Sequence, residues 1–451
     1  MNFTRHINKN LFIWKESNNR KPLILRGARQ VGKTTLIKEF SKTYKNSIFL
    51  NLEKSKDVSF FEAYEDIKTI KDALFFENNI SNNDIDNTLL FIDEIQESPK
   101  AIQLLRYFYE EIPRLHVIAA GSLLEFSLQK IKSFPVGRVE YLYLHPLNFS
   151  EFLGATGRNQ AIEQLNQIPV NHFAHISLLD LFNKYAIIGG MPEIVKTYIN
   201  HESIADLPKV YESIWATYKN DVEKYTTNDT ARKVIKHIMD VAHLYIDQRV
   251  KFQNFGNSNY RSREVGKAFR NLDDAKIIQL IYPTTDMEVP IKQDIKKSPR
   301  LQFLDTGLVN YDLKIQGELL ALTDLSNAYK GTIIPHIITQ EILSLNTINN
   351  HKPNFWVREK NQASAEVDLV LQFEGKIIPI EIKSGATGSL KSLHEFIERS
   401  NHEYAIRMYA GQFKIEKHFT PNQNKSFKLM NLPYYLGTKL PDYIDYFIKN
   451  Y

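Results

Sequence analysis

A chain of 451 residues with 43% hydrophobic and 24% charged side chains carries apolar material for several cores, which excludes both a single small domain and bulk disorder. Its 57 Lys and Arg exceed the 52 Asp and Glu by only 5, a balance that neither demands nor excludes a nucleic-acid partner. Cys is absent, which rules out disulfides, thiolate zinc sites, iron–sulfur clusters and cysteine nucleophiles.

The opening residues lack the apolar core of a secretory signal, and no stretch approaches the roughly 20 apolar residues of a membrane helix, so the expectation is a cytoplasmic chain with no membrane partner. Short apolar runs follow at 23–25, 48–50, 89–92 and 117–120, separated by segments with helical spacing. Strands buried on both faces read as continuous apolar runs, so this rhythm predicts an α/β domain over residues 1–155 with a parallel sheet and crossover helices. At the end of the first run, Gly27-Ala28-Arg29-Gln30-Val31-Gly32-Lys33-Thr34-Thr35 fits GxxxxGK[ST] at a strand-to-helix junction. Glycines at 27 and 32 let the backbone fold into a nest of N–H donors, and a helix opening at Lys33 aims its positive end at the same point. Such a loop predicts a P-loop holding a polyphosphate, with Lys33 on the β- and γ-phosphates and the Thr34 hydroxyl on Mg²⁺.

The third run ends in Asp93-Glu94, adjacent carboxylates delivered to the C-terminal edge of the sheet, where open α/β sheets bind ligands. Asp93 is assigned to the magnesium and Glu94 to the attacking water as general base. The fourth run ends in Gly121-Ser122; Ser122 could sense the γ-phosphate, a plain turn serine being the competing reading. Arg138 could bring positive charge to the transferring phosphate, from its own chain or a neighbour, or simply lie on the surface.

The phosphate loop, the run Asp93-Glu94-Ile95-Gln96, Gly121-Ser122, and Gly137-Arg138 followed by LxPLxFxEF from Leu144 to Phe152 resemble the predicted prokaryotic AAA-type ATPases that carry a C-terminal region of unknown function. Further landmarks of that resemblance are Gly189-Gly190-Met191-Pro192-Glu193, the stretch from Pro299-Arg300 to Asp305-Thr306-Gly307-Leu308, and the late Glu-Val-Asp and Glu-Ile-Lys runs. The family usually shows Lys-x-Tyr-Phe where this chain has Arg300-Leu301-Gln302-Phe303, a departure expected to lie outside either proposed active site. AAA-type relatives often assemble, so a homo-oligomer or a protein partner is a further expectation.

Residues 156–225 read as a helical lid or connector, broken at Gly189-Gly190-Met191-Pro192. Over 226–315, Asp229 can cap a helix carrying Val234, Ile238 and Val241, and a second amphipathic stretch spans 262–275. These elements suggest a helix-turn-helix, and the resemblance implies a winged helix. Arg261, Arg263, Lys267 and Arg270 around the second helix suit DNA phosphates, although Glu264, Asp273 and Asp274 dilute them.

Residues 316–451 read as a separate α/β unit. A hairpin turning at Glu374-Gly375 sets Phe373 opposite Lys376, Asp368 opposite Glu381 and Glu366 opposite Lys383, all four charges on one face. Like charges facing each other need compensation, which a second Mg²⁺ or Mn²⁺ held by Asp368 and Glu381 would supply, with Lys383 beside it for a phosphodiester transition state. The pattern resembles restriction-endonuclease-like nucleases, and Glu341 on the preceding helix matches the extra acid many of them carry. A degenerate nuclease fold is the alternative, in a nucleotide-gated interaction switch. Pro379 in the second strand implies an edge position or a bulge.

Overall fold

The computed structural model describes residues 3–122, 137–222, 226, 228–320, 325, 331–360, 363–383 and 390–451. The chain divides into two compact units. Residues 1–146 with the short segments 274–276 and 346–350 form the first, and 147–273, 277–345 and 351–451 form the second. Among the described residues no helix is long and apolar enough to cross a membrane.

In the first unit, β1 (Leu23–Arg26), β2 (Asn46–Asn51), β3 (Thr88–Asp93), β4 (His116–Ala120) and β5 (Glu140–Tyr143) form a parallel sheet in the order β2-β3-β4-β1-β5. Strands β3 and β4 are buried along their whole length, as continuous apolar runs require. β2 departs from that reading: it is an edge strand that buries Ile48 and Leu50 but leaves Phe49 39% exposed. Helix Pro99–Glu111 closes one face, burying Ile102, Leu105 and Phe108 against a core that includes Leu90, Ile92, Val117 and Ala119. The strand order matters for chemistry because β4 lies between β1 and β3, so the loops after all three open on one edge of the sheet.

The second unit begins with helices Phe149–Ala155, Asn159–Leu165, His175–Ile188, Pro192–His201 and Pro208–Asn220. Gly189 ends one helix and Pro192 opens the next, as read from the sequence. Helix Asp229–Val241 is capped by the Asn228 side chain rather than Asp229, whose carboxylate sits in the first turn. Arg249 then bridges to Arg300, helix Ser262–Asp274 follows, and β6 (Ile278–Ile281) pairs antiparallel with β8 (Arg300–Phe303).

A mixed sheet completes the unit, in the order β13-β14-β12-β11-β10-β9-β7, from β7 (Pro283–Thr284), β9 (Asn354–Lys360), β10 (Ala363–Phe373), β11 (Lys376–Ile382), β12 (Tyr404–Tyr409), β13 (Lys414–Phe419) and β14 (Ser426–Pro433). The β10–β11 register pairs Phe373 with Lys376 and Leu369 with Ile380, as the hairpin count requires. Pro379 is neither on an edge strand nor at a break in that register: β11 lies between β10 and β12, and its ladder with β12 starts at Ile380, one residue past the proline. The irregularity falls instead between β9 and β10, at Val367/Val370, where it surrounds Asp368.

Candidate functional site

The loop between β1 and helix Lys33–Ser41 adopts the backbone its glycines were predicted to permit. Gly27 has φ +151° and Gly32 φ +97°, and Gln30 also lies in the left-handed region at φ 62°. A Cβ on Gly27 would lie 2.3 Å from the Leu144 carbonyl oxygen, so no other residue fits there. Lys33 is buried, and its Nζ donates to the carbonyls of Gly27 at 3.0 Å and Ala28 at 2.8 Å, which keeps the ammonium within the loop. Arg5 braces the same loop from outside the motif, donating to Val31 O at 3.3 Å and His145 O at 2.6 Å. Sequence reasoning missed Arg5 because nothing local marks it.

Across the sheet edge, Thr34 Oγ1 donates to Asp93 Oδ2 at 2.7 Å, joining the first turn of the helix to the end of β3. Burial, followed by the like charge of Glu94, raises the Asp93 carboxyl above its ordinary range. A hydroxyl and a partly desolvated carboxylate in contact make an oxygen donor pair of the type Mg²⁺ takes. Glu94 follows with φ 51°, left-handed for a non-glycine residue, and its Oε2 accepts from Gln96 Nε2 at 2.6 Å. Ser122, at the end of β4, is 3% exposed and accepts from Arg29 Nε of the loop at 3.3 Å. Lys33, Thr34, Asp93, Glu94 and Ser122 are thus gathered on one edge.

Arg138 does not join them from its own chain. Leu23 pairs with Glu140 in the parallel β1–β5 ladder, so Arg138 precedes the N-terminal edge of the sheet, a strand length of roughly 13 Å from the loop's edge. It forms an ion pair there with Glu110.

A parallel sheet with a glycine loop feeding a buried lysine into a helix, and an acidic pair at the neighbouring strand end, defines the P-loop nucleoside triphosphatase class. Comparison of the sequence with family models agrees: residues 19–153 match an AAA domain, 179–319 a domain of unknown function (DUF8612) and 330–435 a second such domain (DUF4143). Residues 19–153 are thus an AAA-type domain, followed by regions that match domains of unknown function. Among solved structures the chain is similar to a Walker-type ATPase of Pyrococcus abyssi, at 14% identity and a TM-score of 0.43, over 69% of this chain and 98% of that one, a likeness too slight to inform on the site. No curated protein matches it.

In the second unit the C-terminal acids meet a cation that the sequence reading placed elsewhere. Arg300, expected to lie outside any site, is 7% exposed and projects from β8 into the charged face of the β10–β11 hairpin. Its guanidinium donates through Nε to Glu366 Oε1 at 2.9 Å, pairs with the same oxygen through Nη2, and reaches Asp368 Oδ1 at 3.2 Å. Asp247 lies 3.9 Å from Nη1 and accepts from Gln302 at 2.6 Å. Burial opposes the charge on Arg300, but Asp247, Asp368 and Glu366 together outweigh it and hold the guanidinium ionised. Burial lifts Asp247 to about 7 even so.

The expected Glu366–Lys383 cross-strand pair is replaced. Glu366 serves Arg300, and Lys383 Nζ binds Glu381 Oε1 at 2.6 Å on its own strand. Burial and then the charge of Asp368 raise the Glu381 carboxyl, and among the described residues its buried Oε2 has no hydrogen-bond partner, a feature that favours a cation. Against it, Asp368 has one oxygen on Arg300 and accepts at the other from Ile382 N–H at 2.8 Å. Among the described residues no group of three or more His, Asp or Glu is arranged to hold a metal. The donor set does not fit a second divalent ion, because a fixed guanidinium already supplies the compensating charge.

Glu341 is also corrected. It is fully buried away from this cluster, accepting from the Phe149 N–H at 3.0 and 3.2 Å and bonded to Tyr185 OH at 2.8 Å. Tyr185 OH in turn donates to Leu147 O at 2.9 Å, Gly190 O accepts from Leu147 N–H at 2.7 Å, and Gly190 N–H donates to Asp305 at 2.6 Å. The Pro-Leu-x-Phe, Gly-Gly-Met-Pro and Asp-Thr-Gly landmarks therefore meet in one buried polar node that builds the unit.

Burial lifts the Glu341 carboxyl from its ordinary 4.5 to about 8, so the folded chain keeps a proton that the unfolded chain releases. Its stabilising contribution is complete below about pH 4.5 and is lost as pH rises through about 8. Glu341→Gln, which mimics the protonated form, is expected to melt within about 1 kcal/mol of the parent and to flatten that pH dependence. Glu341→Ala strands buried donors and is expected to cost about 2–4 kcal/mol in denaturant titrations.

Proposed function

We propose that the first unit binds and hydrolyses ATP and that its nucleotide state controls a DNA-binding second unit which does not itself cut DNA. The observation that carries the ATPase reading is the convergence of Lys33, Thr34, Asp93, Glu94 and Ser122 on one sheet edge around a glycine loop. Lys33 would neutralise phosphate charge, Glu94 would take the proton of the attacking water, and Ser122 would contact the terminal phosphate. Thr34 and Asp93 would hold Mg²⁺, which spreads the charge of the phosphates when bound. Calorimetry tests this: the parent chain with Mg²⁺ should give heat on ATP titration, and Lys33→Ala should lose at least about a hundredfold in affinity. An equal isotherm for the two chains would overturn the site.

DNA binding is supported by the second helix of the predicted pair. Helix Ser262–Asp274 buries Val265, Ala268, Phe269 and Leu272 and exposes Arg263, Lys267 and Arg270 on its outer face. Asp273, counted in the sequence as diluting that charge, is engaged by Lys352 Nζ at 2.5 Å. A helix, a bridge at Arg249, a basic helix and the β6–β8 pair follow one another in the order of a winged helix. Replacing Arg263, Lys267 and Arg270 by Ala is expected to weaken duplex binding and lower the slope of log K against log salt by about 2–3. An unchanged slope would remove this helix from the interface.

Lack of cleavage is supported by Arg300, which fills the charge deficit a nuclease would fill with metal. Incubation of DNA with Mg²⁺ or Mn²⁺ should leave it intact; cutting that disappears in Asp368→Ala would restore the nuclease reading.

A further inference from the structure

We infer that Gln96 is a positioning residue for ATP turnover, holding the Glu94 carboxylate and tying it to the turn that follows β4. The inference rests on the reading of Glu94 as the base of an ATPase. Glu94 leaves β3 in the left-handed region at φ 51°, a conformation that costs about 1–2 kcal/mol outside glycine and persists only where the surroundings fix it. Its backbone is held by Glu94 N–H on Asp93 Oδ1 at 3.1 Å and by Glu97 N–H on Glu94 O at 3.0 Å, and its carboxylate by the Gln96 amide, which donates to Oε2 at 2.6 Å from the single helical turn Ile95–Glu97. A second contact, from the same nitrogen to Glu97 Oε1, is longer at 3.5 Å.

The other end of that amide is also confined. Gln96 is 9% exposed, and its Oε1 packs on Gly121 so closely that a Cβ there would lie 2.4 Å from it. Gly121 adjoins Ser122, which takes a hydrogen bond from Arg29 of the phosphate loop. Contacts therefore run from Arg29 through Ser122 and Gly121 to Gln96 and end on the carboxylate of Glu94. A neutral amide suits this place: its N–H donates to the carboxylate and sets its aim, without the ion pair a Lys or Arg would form. Any shift of the Gly121-Ser122 turn toward a terminal phosphate moves the amide, and with it the base.

The test measures kcat, KM and ATP affinity for Gln96→Ala, Gln96→Glu and Gly121→Ala, with Gln96→Ala repeated in a Glu94→Gln background. Gln96→Ala should lower kcat on the order of tenfold while affinity stays within about twofold. Gly121→Ala should reproduce it, because the new methyl takes the space of Oε1. Gln96→Glu, nearly isosteric but without the amide donor, should likewise lower kcat while affinity stays within about twofold. In the Glu94→Gln background Gln96→Ala should cause no further loss. A parent-like kcat for Gln96→Ala, or the same tenfold loss in that background, would overturn the inference alone. A parent chain that fails to hydrolyse ATP would overturn the ATPase reading and the inference with it.

Discussion

Glu94→Gln is expected to bind ATP as tightly as the parent chain and to turn it over about 10²–10³-fold more slowly. The exchange keeps the shape of the side chain and removes only its capacity to accept a proton. Lys33 and the Thr34–Asp93 contact, which would carry phosphate and Mg²⁺, are untouched, so binding and turnover should separate. Single-turnover hydrolysis beside an affinity measurement makes that separation visible. Equal hydrolysis rates for the two chains would refute the base assignment; parallel losses of affinity and rate would instead mean that Glu94 shapes the loop.

Arg300→Ala is expected to destabilise the second unit by about 3–5 kcal/mol, read as a lower denaturant midpoint. The change leaves Glu366, Asp368 and the buried Asp247 facing one another without their shared counter-charge. Arg300→Lys should recover only part of the loss, because a point charge on a flexible stem cannot reach three carboxylates as a planar fork does. The pH dependence has a definite sign. Asp247 is raised from 3.8 to about 7 by burial, so its folded form holds a proton that is lost as pH rises through about 7. The Arg300→Ala defect should therefore be larger at pH 8 than at pH 5, and adding Asp247→Asn should reduce it. A variant as stable as the parent at both pH values would show that the cluster is solvated and that Arg300 is not its counter-ion.

How legible these sites were in the sequence tracks how local they are. The phosphate loop was readable residue by residue because its glycines, lysine and threonine lie within one strand-to-helix junction, where backbone geometry and chemistry are fixed together. Asp93-Glu94 and the β10–β11 register were readable for the same reason: a buried strand delivers its end to one sheet edge, and a two-residue turn fixes which side chains face each other. The Gln96 signal was present in the Asp-Glu-Ile-Gln run, but its partner Gly121 lies a strand away and gave it no role.

The sequence by itself thus determined the geometry of the glycine loop, the acidic pair beside it and the hairpin of charges. Only the tertiary structure decided that Arg138 and the loop occupy opposite sheet edges, that Arg300 reaches Glu366 across 66 residues, and that Glu341 serves Phe149 across 192 residues instead of the acid cluster. The physical reason is the range of the forces. Turns and strand ends are set by neighbouring dihedrals, whereas a buried charge takes whichever counter-charge or donor packing brings within about 3 Å, and composition along the chain does not encode that choice.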